Sequence, residues 1–136
     1  MLNIATLKRQ HEQIGELLTE LKQDIARGSL EQEASNIALK INILAGKLKV
    51  HLDTEDRYMY PQLLQSRETE LKKLAQAYMD EMGYISKAFT NYKGRFNTKS
   101  KILGNPQVFL KESQEMLEVI GQRIEKEDVA LYTVLE

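Results

Sequence analysis

The sequence predicts an all-α protein, an antiparallel up-down-up-down bundle of four helices. Two observations support this fold class: apolar residues recur at helical spacing along four stretches, and no stretch alternates apolar and polar residues as a strand would. Glycine and proline are sparse, at 7 and 2 of 136 residues, and where they cluster they separate these stretches. The length suits one domain, and we expect residues 1–136 to form a single bundle.

The first two helices are predicted near residues 3–27 and 30–65. Gly28 can adopt the left-handed conformation that ends a helix. Ser29, followed three residues later by Gln32, has the form of a capping box, which predicts the start of the second helix. The apolar stripe of the first helix contains His11, and the stripe of the second ends with His51, Glu55 and Tyr58.

The third and fourth helices are predicted near residues 67–96 and 106–134. Ser66 is the candidate N-cap of the third helix, and Asn105 followed by Pro106 is the corresponding signal for the fourth. The connection between these two helices is the longest loop that the sequence predicts.

The second and fourth helices read as two copies of one pattern, offset by 72 positions. The segment HLDTEDRYMYPQL, from His51, aligns with RIEKEDVALYTVL, from Arg123. Identical residues include the pairs Glu55 and Glu127, Asp56 and Asp128, and Tyr60 and Tyr132. The first and third helices align similarly, which places Met82 opposite His11. We interpret the chain as two similar helical hairpins packed face to face.

Several polar side chains interrupt the apolar stripes at about the same height in the predicted bundle. They are His11, His51, Glu55, Arg123 and Glu127. A lone core histidine or an ion pair four residues apart has an ordinary structural explanation, but buried charges are costly unless they are paired or bound to metal. Their joint placement predicts a metal-ligating cluster of His11, His51, Glu55 and Glu127.

These residues, with the phrase EDRYMYPQL, resemble the hemerythrin and HHE cation-binding families over nearly the whole chain. The resemblance implies a bundle around a carboxylate-bridged di-iron centre that binds oxygen or nitric oxide, or serves in iron sensing and storage. It places His11, His51 and Glu55 at ligand positions, with Glu55 as the bridging carboxylate. The fourth-helix carboxylate is Glu127, or Asp128 in the alternative spacing.

The resemblance is incomplete because two expected histidines are substituted. Met82 stands at the third-helix position and Arg123 at the fourth-helix position, and both would serve the same iron. We therefore expect the Arg123 guanidinium to replace one lost cation beside the surviving carboxylates. The remaining donors suit Fe(II), Mn, Ni or Zn about equally by ligand type. We expect one divalent metal, iron or zinc, or none.

Three functions stay open from the sequence. The first is a hemerythrin-like protein with a degenerate metal site, suited to sensing or binding rather than oxygen transport. The second is a metal-free regulatory or protein-interaction bundle. The third is a mononuclear iron enzyme using His11, His51 and Glu55, although no separate nucleophile, acid–base pair or phosphate loop is visible to support catalysis.

Composition narrows the partners and the environment. The net charge is −1, with 19 basic and 20 acidic residues well mixed, which predicts neither a nucleic-acid surface nor a membrane surface. The absence of cysteine excludes disulfides, thiolate zinc sites and iron–sulfur clusters. With no visible signal peptide or spanning segment, a cytoplasmic location is expected. Exposed tyrosines and methionines leave room for a homodimer, and a small diatomic ligand is expected only if iron is bound.

Overall fold

The computed structural model describes residues 4–135 and confirms the all-α prediction, since this part of the chain contains no β-strand. Four helices are long and three are short. In chain order they are α1 (Ile4–Ala26), α2 (Leu30–Thr54), α3 (Tyr60–Leu64), α4 (Thr69–Phe96), α5 (Lys99–Gly104), α6 (Pro106–Lys126) and α7 (Tyr132–Leu135). Within the described range, no helix is both long enough and apolar enough to cross a bilayer.

The four long helices form an antiparallel bundle in which α1 and α4 each pack against both α2 and α6. Asp24, near the end of α1, accepts a hydrogen bond of 3.2 Å from Asn36, in the second turn of α2. Arg95, near the end of α4, pairs at 2.6 Å with Glu112, near the start of α6. Consecutive long helices therefore run in opposite directions, as predicted.

Two apolar clusters fill the core, and the polar residues lie between them along the helices. On α1, Leu7 belongs to the smaller cluster and Ile14 to the larger, with His11 between them. On α6 and the turn that follows, Ile120 belongs to the larger cluster and Leu131 to the smaller. The polar layer is thus closed on both sides by apolar packing, which limits its contact with water.

The helix ends agree in part with the sequence. Gly28 has a φ of 75°, the left-handed conformation predicted for it. Asn105 Oδ1 accepts a hydrogen bond of 3.4 Å from the Val108 N–H, and Pro106 is the first residue of α6. The prediction of a capping box at Ser29 is wrong. The Ser29 side chain makes no cap hydrogen bond, and only the Ser29 backbone carbonyl accepts hydrogen bonds from the helix.

Two further boundary predictions are wrong. Helix α4 begins at Thr69, because the Ser66 hydroxyl oxygen accepts from the Glu68 N–H within the preceding turn instead of capping the helix. The predicted long loop contains α5, whose first turn is capped by Thr98 Oγ1 accepting from the Lys101 N–H at 3.3 Å.

Two π-helical turns interrupt the second and fourth predicted helices, at Glu55–Met59 and Glu127–Leu131. The first is closed by a hydrogen bond from the Tyr60 N–H to the Glu55 carbonyl, and the second by the corresponding bond from Tyr132 to Glu127. The turns begin at aligned positions, so the backbone repeats with the sequence. Single π turns inside α-helices occur frequently at functional sites.

Each π turn changes which residues face the core. Met59 and Tyr60 are buried, whereas Tyr58, predicted on the buried stripe, is 45% exposed. The Tyr58 prediction is wrong because it continued the 3.6-residue spacing through a wider turn. In the π turn, residues five apart lie one turn apart, so Tyr60 follows Glu55 onto the core face.

Candidate metal centre

Four polar side chains converge between the two apolar clusters. They are His11 on α1, His51 on α2, and Glu55 and Glu127, each at the start of a π turn. All four are buried, and one donor atom from each lies within 4.8 Å of the others. His11 Nε2 lies 2.9 Å from both His51 Nε2 and Glu127 Oε1. This group can hold a metal ion.

A hydrogen-bond relay fixes the tautomer of His51. The Thr54 hydroxyl donates to the Val50 carbonyl at 2.8 Å, so its oxygen accepts from Gln10 Nε2. That bond orients the Gln10 amide with Oε1 toward His51 Nδ1, at 2.8 Å. Because an amide oxygen only accepts, His51 Nδ1 carries the proton. The other ring nitrogen, Nε2, therefore presents its lone pair to the cluster when the ring is neutral.

Asp128 fixes the tautomer of His11 from outside the cluster. Its Oδ1 lies 2.8 Å from His11 Nδ1, and the Asp128 side chain is 41% exposed. The carboxylate accepts a hydrogen bond from the Nδ1–H of His11. In the neutral ring, the Nε2 lone pair of His11 therefore faces inward. Two nitrogen lone pairs 2.9 Å apart repel each other unless a proton or a metal ion lies between them.

The charges around His51 show how the cluster is balanced without metal. Burial by itself lowers the pKa of His51, but hydrogen bonds to Glu127 and Glu55 raise it to about 9. Burial raises the pKa of Glu55. The contacts of Glu127 with His11 and His51, together with the charge of Arg123, overcome burial and hold the pKa of Glu127 well below its usual range. Without metal, a proton on His51 supplies the cation that the lone pairs require.

Glu55 provides a direct test of whether the cluster fits a cation. Its Oε2 accepts a hydrogen bond of 2.7 Å from the Tyr132 hydroxyl. Its Oε1 is the one buried side-chain nitrogen or oxygen, among the described residues, that has no hydrogen-bond partner. Such an atom is costly in a core, and a metal ion would satisfy it. The residues present therefore fit a bound metal.

Arg123 is buried on the other side of Glu127. Its Nε donates to Glu127 Oε2 at 3.0 Å, and its Nη1 donates to Glu81 Oε1 at 2.9 Å. Its Nη2 donates to the Tyr60 hydroxyl and to the Tyr78 carbonyl, and the guanidinium lies 4.5 Å from the centre of the Tyr78 ring. Burial lowers the pKa of Arg123, but the charge of Glu127, the Tyr60 hydroxyl and the hydrogen bonds to Glu81 and Glu127 together raise it, so the group is cationic.

The other predicted positions lie outside the four-residue cluster. Met82 is buried in the larger apolar cluster, and α4 reaches Arg123 through Tyr78 and Glu81. Glu127 contacts the inward-facing Nε2 atoms of both histidines, whereas Asp128 contacts only the outer Nδ1 of His11.

Sequence reasoning missed four residues whose side chains hydrogen-bond to the predicted cluster or to Arg123: Gln10, Glu81, Tyr60 and Tyr132. The two tyrosines had a signal, because each lies five residues after an aligned glutamate and the pair matches in the repeat. Gln10 and Glu81 had no such sequence signal, because a polar residue beside a core position is common on the surface of a helix.

Comparison with known proteins addresses the family. Neither the curated proteins nor the solved structures contain a match to this chain. The family model described as Hemerythrin HHE cation binding domain matches residues 2–135. That match spans nearly the whole chain and agrees with an all-α bundle whose core holds a histidine–carboxylate cluster. The chain belongs to the hemerythrin HHE cation-binding domain family.

Proposed function

We propose that this protein binds one divalent metal ion, iron or zinc, through His11, His51, Glu55 and Glu127. Its role is metal binding or sensing rather than oxygen transport. One observation supports this most strongly: the Nε2 atoms of His11 and His51, whose rings are held by outer hydrogen bonds at Nδ1, face each other at 2.9 Å. Two imidazoles and two carboxylates suit iron and zinc by ligand type.

The donor separations suit a single ion. Metal bonds of about 2.0–2.1 Å at right angles place neighbouring donor atoms about 3 Å apart. His11 Nε2 lies 2.9 Å from Glu127 Oε1, and His51 Nε2 lies 3.4 Å from both Glu127 Oε1 and Glu55 Oε2. Small side-chain movements would bring these atoms into one coordination shell.

Arg123 argues against a second ion. It already neutralises Glu127 Oε2, and its other buried neighbours are the Tyr60 hydroxyl and the Tyr78 carbonyl, with no histidine among them. A second cation would meet both charge repulsion and a shortage of ligands. Two histidines that the family resemblance calls for, at the positions of Met82 and Arg123, are missing from this chain, which has two histidines in all. This is why we favour binding or sensing over oxygen carriage.

The chain's own residues prepare the metal-binding groups. Gln10 and Asp128 hold the two imidazole rings with Nε2 inward, and the apolar layers above and below restrict water. A bound ion would supply Lewis acidity and, if it is iron, redox chemistry and affinity for a small diatomic ligand.

A metal-free regulatory or interaction module is the second candidate. The hydrogen bonds within the cluster favour this candidate. Every buried side-chain donor and acceptor of the cluster except Glu55 Oε1 has a hydrogen-bond partner. With His51 protonated, hydrogen bonds can hold the site together without metal.

Calorimetric titration of metal-free protein with Zn(II) separates the two candidates. We expect one saturable site in the wild type and its loss in His11→Gln and His51→Gln. Asp24→Asn is the control, because Asp24 is another buried carboxylate of the bundle but bonds to Arg27, Asn36 and Lys40 instead. Absence of a saturable site in the wild type, repeated with anaerobic Fe(II), would support the metal-free module.

A further inference from the structure

The side chain of Tyr132 enters the metal-binding cluster. The sequence patterns that predicted the cluster, namely His11, the pair His51 and Glu55, and the repeated glutamate, do not include this tyrosine. Its hydroxyl oxygen lies 2.7 Å from Glu55 Oε2, 3.1 Å from His11 Nε2, and 3.4 Å from both His51 Nε2 and Glu127 Oε1. The phenol oxygen therefore contacts a donor atom of all four cluster residues.

The backbone explains why Tyr132 reaches this position. The second π turn closes with a bond from the Tyr132 N–H to the Glu127 carbonyl, so residues five apart lie one turn apart. In an uninterrupted α-helix, Tyr132 would point away from the face that carries Glu127. The ring is fully buried and stacks on the His11 ring, at 4.8 Å between centroids and 18° between planes.

We propose that Tyr132 is a fifth ligand of the bound metal, supplying a phenolate oxygen, and that the complete donor set suits ferric iron. The inference rests on the proposed function, since it requires one ion in this cluster. The distances to the four donor atoms, 2.7–3.4 Å, bracket the separation of about 3 Å expected between neighbouring ligands of one ion. Tyrosine is an established protein ligand of iron.

Coordination exchanges a proton for the metal. The phenolic O–H bond breaks, an iron–oxygen bond forms, and the proton passes to solvent; no electron moves when the iron is supplied as Fe(III). In the metal-free protein the Tyr132 hydroxyl donates a hydrogen bond of 2.7 Å to Glu55 Oε2, and coordination releases that proton. The cation supplies the charge that the phenolate requires.

The internal repeat provides a matched control. Tyr60 occupies the aligned position after Glu55, is also buried, and follows the first π turn. Its hydroxyl accepts from Arg123 Nη2 at 3.1 Å and has no bond to either histidine. The two tyrosines therefore share burial and backbone setting and differ in what they face: Tyr132 faces the histidines, and Tyr60 faces the guanidinium.

Metal-free wild type, Tyr132→Phe and Tyr60→Phe are each loaded with ferric nitrilotriacetate, and bound iron is counted by mass spectrometry. We expect the wild type and Tyr60→Phe to show a visible phenolate-to-iron charge-transfer band that Tyr132→Phe lacks, with iron affinity at least about tenfold weaker in that variant. Resonance Raman of wild type containing ring-deuterated tyrosine checks the assignment even if Tyr132→Phe folds poorly.

The outcomes separate two failures. Iron bound by the wild type without a tyrosine-derived band, or a band lost in Tyr60→Phe and kept in Tyr132→Phe, overturns Tyr132 as a ligand and leaves the single-metal proposal intact. Failure of the wild type to bind either Fe(III) or Zn(II) overturns both.

Discussion

Arg123 and Glu127 form a buried ion pair, 3.0 Å from Nε to Oε2, in which only one oxygen of the carboxylate is used. The other oxygen, Oε1, lies 2.9 Å from His11 Nε2. Glu127 is thus placed between a permanent cation on one side and two histidines on the other. We propose that the Arg123 guanidinium takes the place of one of the two metal ions that a bridging carboxylate would hold.

Replacing Arg123 with alanine should destabilise the metal-free protein by about 3 kcal/mol, because it leaves Glu127 buried beside unfilled space. Added divalent metal should restore part of the loss, since binding to the native state stabilises it. Thermal melts with and without Zn(II) provide the measurement. Arg95→Ala is the control: Arg95 also pairs with a glutamate but is half exposed, so about 1 kcal/mol or less is expected. An unchanged melting temperature for Arg123→Ala would show that the guanidinium does not balance the core.

The two cluster carboxylates should respond differently to neutralisation in metal-free protein. Glu127→Gln should cost about 3 kcal/mol, because it removes the buried partner of Arg123. Glu55→Gln should cost less than about 1 kcal/mol, because Glu55 has no ion pair with arginine or lysine and leaves one oxygen unpartnered. Urea unfolding measures both, and Zn(II) titration should show that both weaken metal binding. Equal losses of unfolding free energy in the two variants would mean that Arg123 stabilises Glu127 no more than it stabilises Glu55.

Asp128 should matter for metal affinity more than for folding. Asp128→Asn should weaken metal binding by about 10- to 100-fold, because it loosens the hold on His11 Nδ1. Its effect on the melting temperature of metal-free protein should be small, since the side chain is partly exposed. Asp56→Asn is the matched control, because Asp56 is the aligned residue of the first repeat and lies on the exposed surface. If both variants bind metal as the wild type does, Asp128 has no role in orienting the ligand.

Restoring the two missing histidines should restore capacity for a second ion. The double variant Met82→His with Arg123→His removes the guanidinium and adds two imidazoles on α4 and α6. We expect two metal ions per chain, counted by mass spectrometry, whereas either single variant should bind one. A double variant that still binds one ion would mean that the two histidines are not sufficient to rebuild a second metal position.

The sequence was sufficient for the positions of the cluster because helical periodicity is local. His51 and Glu55 share a face by spacing alone, and the repeat extends the argument to Arg123 and Glu127. What it could not supply depends on tertiary contacts. The two π turns break the periodicity and are stabilised by what their residues meet across the core, so Tyr58 was placed inside and Tyr132 was not connected to the histidines.

The hydrogen bonds that surround the cluster and Arg123 could not be predicted from the sequence either. Gln10 and Glu81 are ordinary helix-surface residue types, and only the packing of α1 on α2, and of α4 on α6, brings them to His51 and Arg123. The relay through Thr54 that fixes the imidazole tautomer likewise appears only once the helices are assembled.

The number of iron ions per chain tests the central claim most directly. Metal-free protein is loaded with Fe(II) under anaerobic conditions, exposed to air, freed of loose iron, and measured by mass spectrometry and electron paramagnetic resonance. We predict one tightly bound iron per chain, with the resonance of an isolated high-spin ferric ion and no oxo-bridged di-iron absorption, because Arg123 holds the second position. Two tightly bound, magnetically coupled irons per chain would contradict the account.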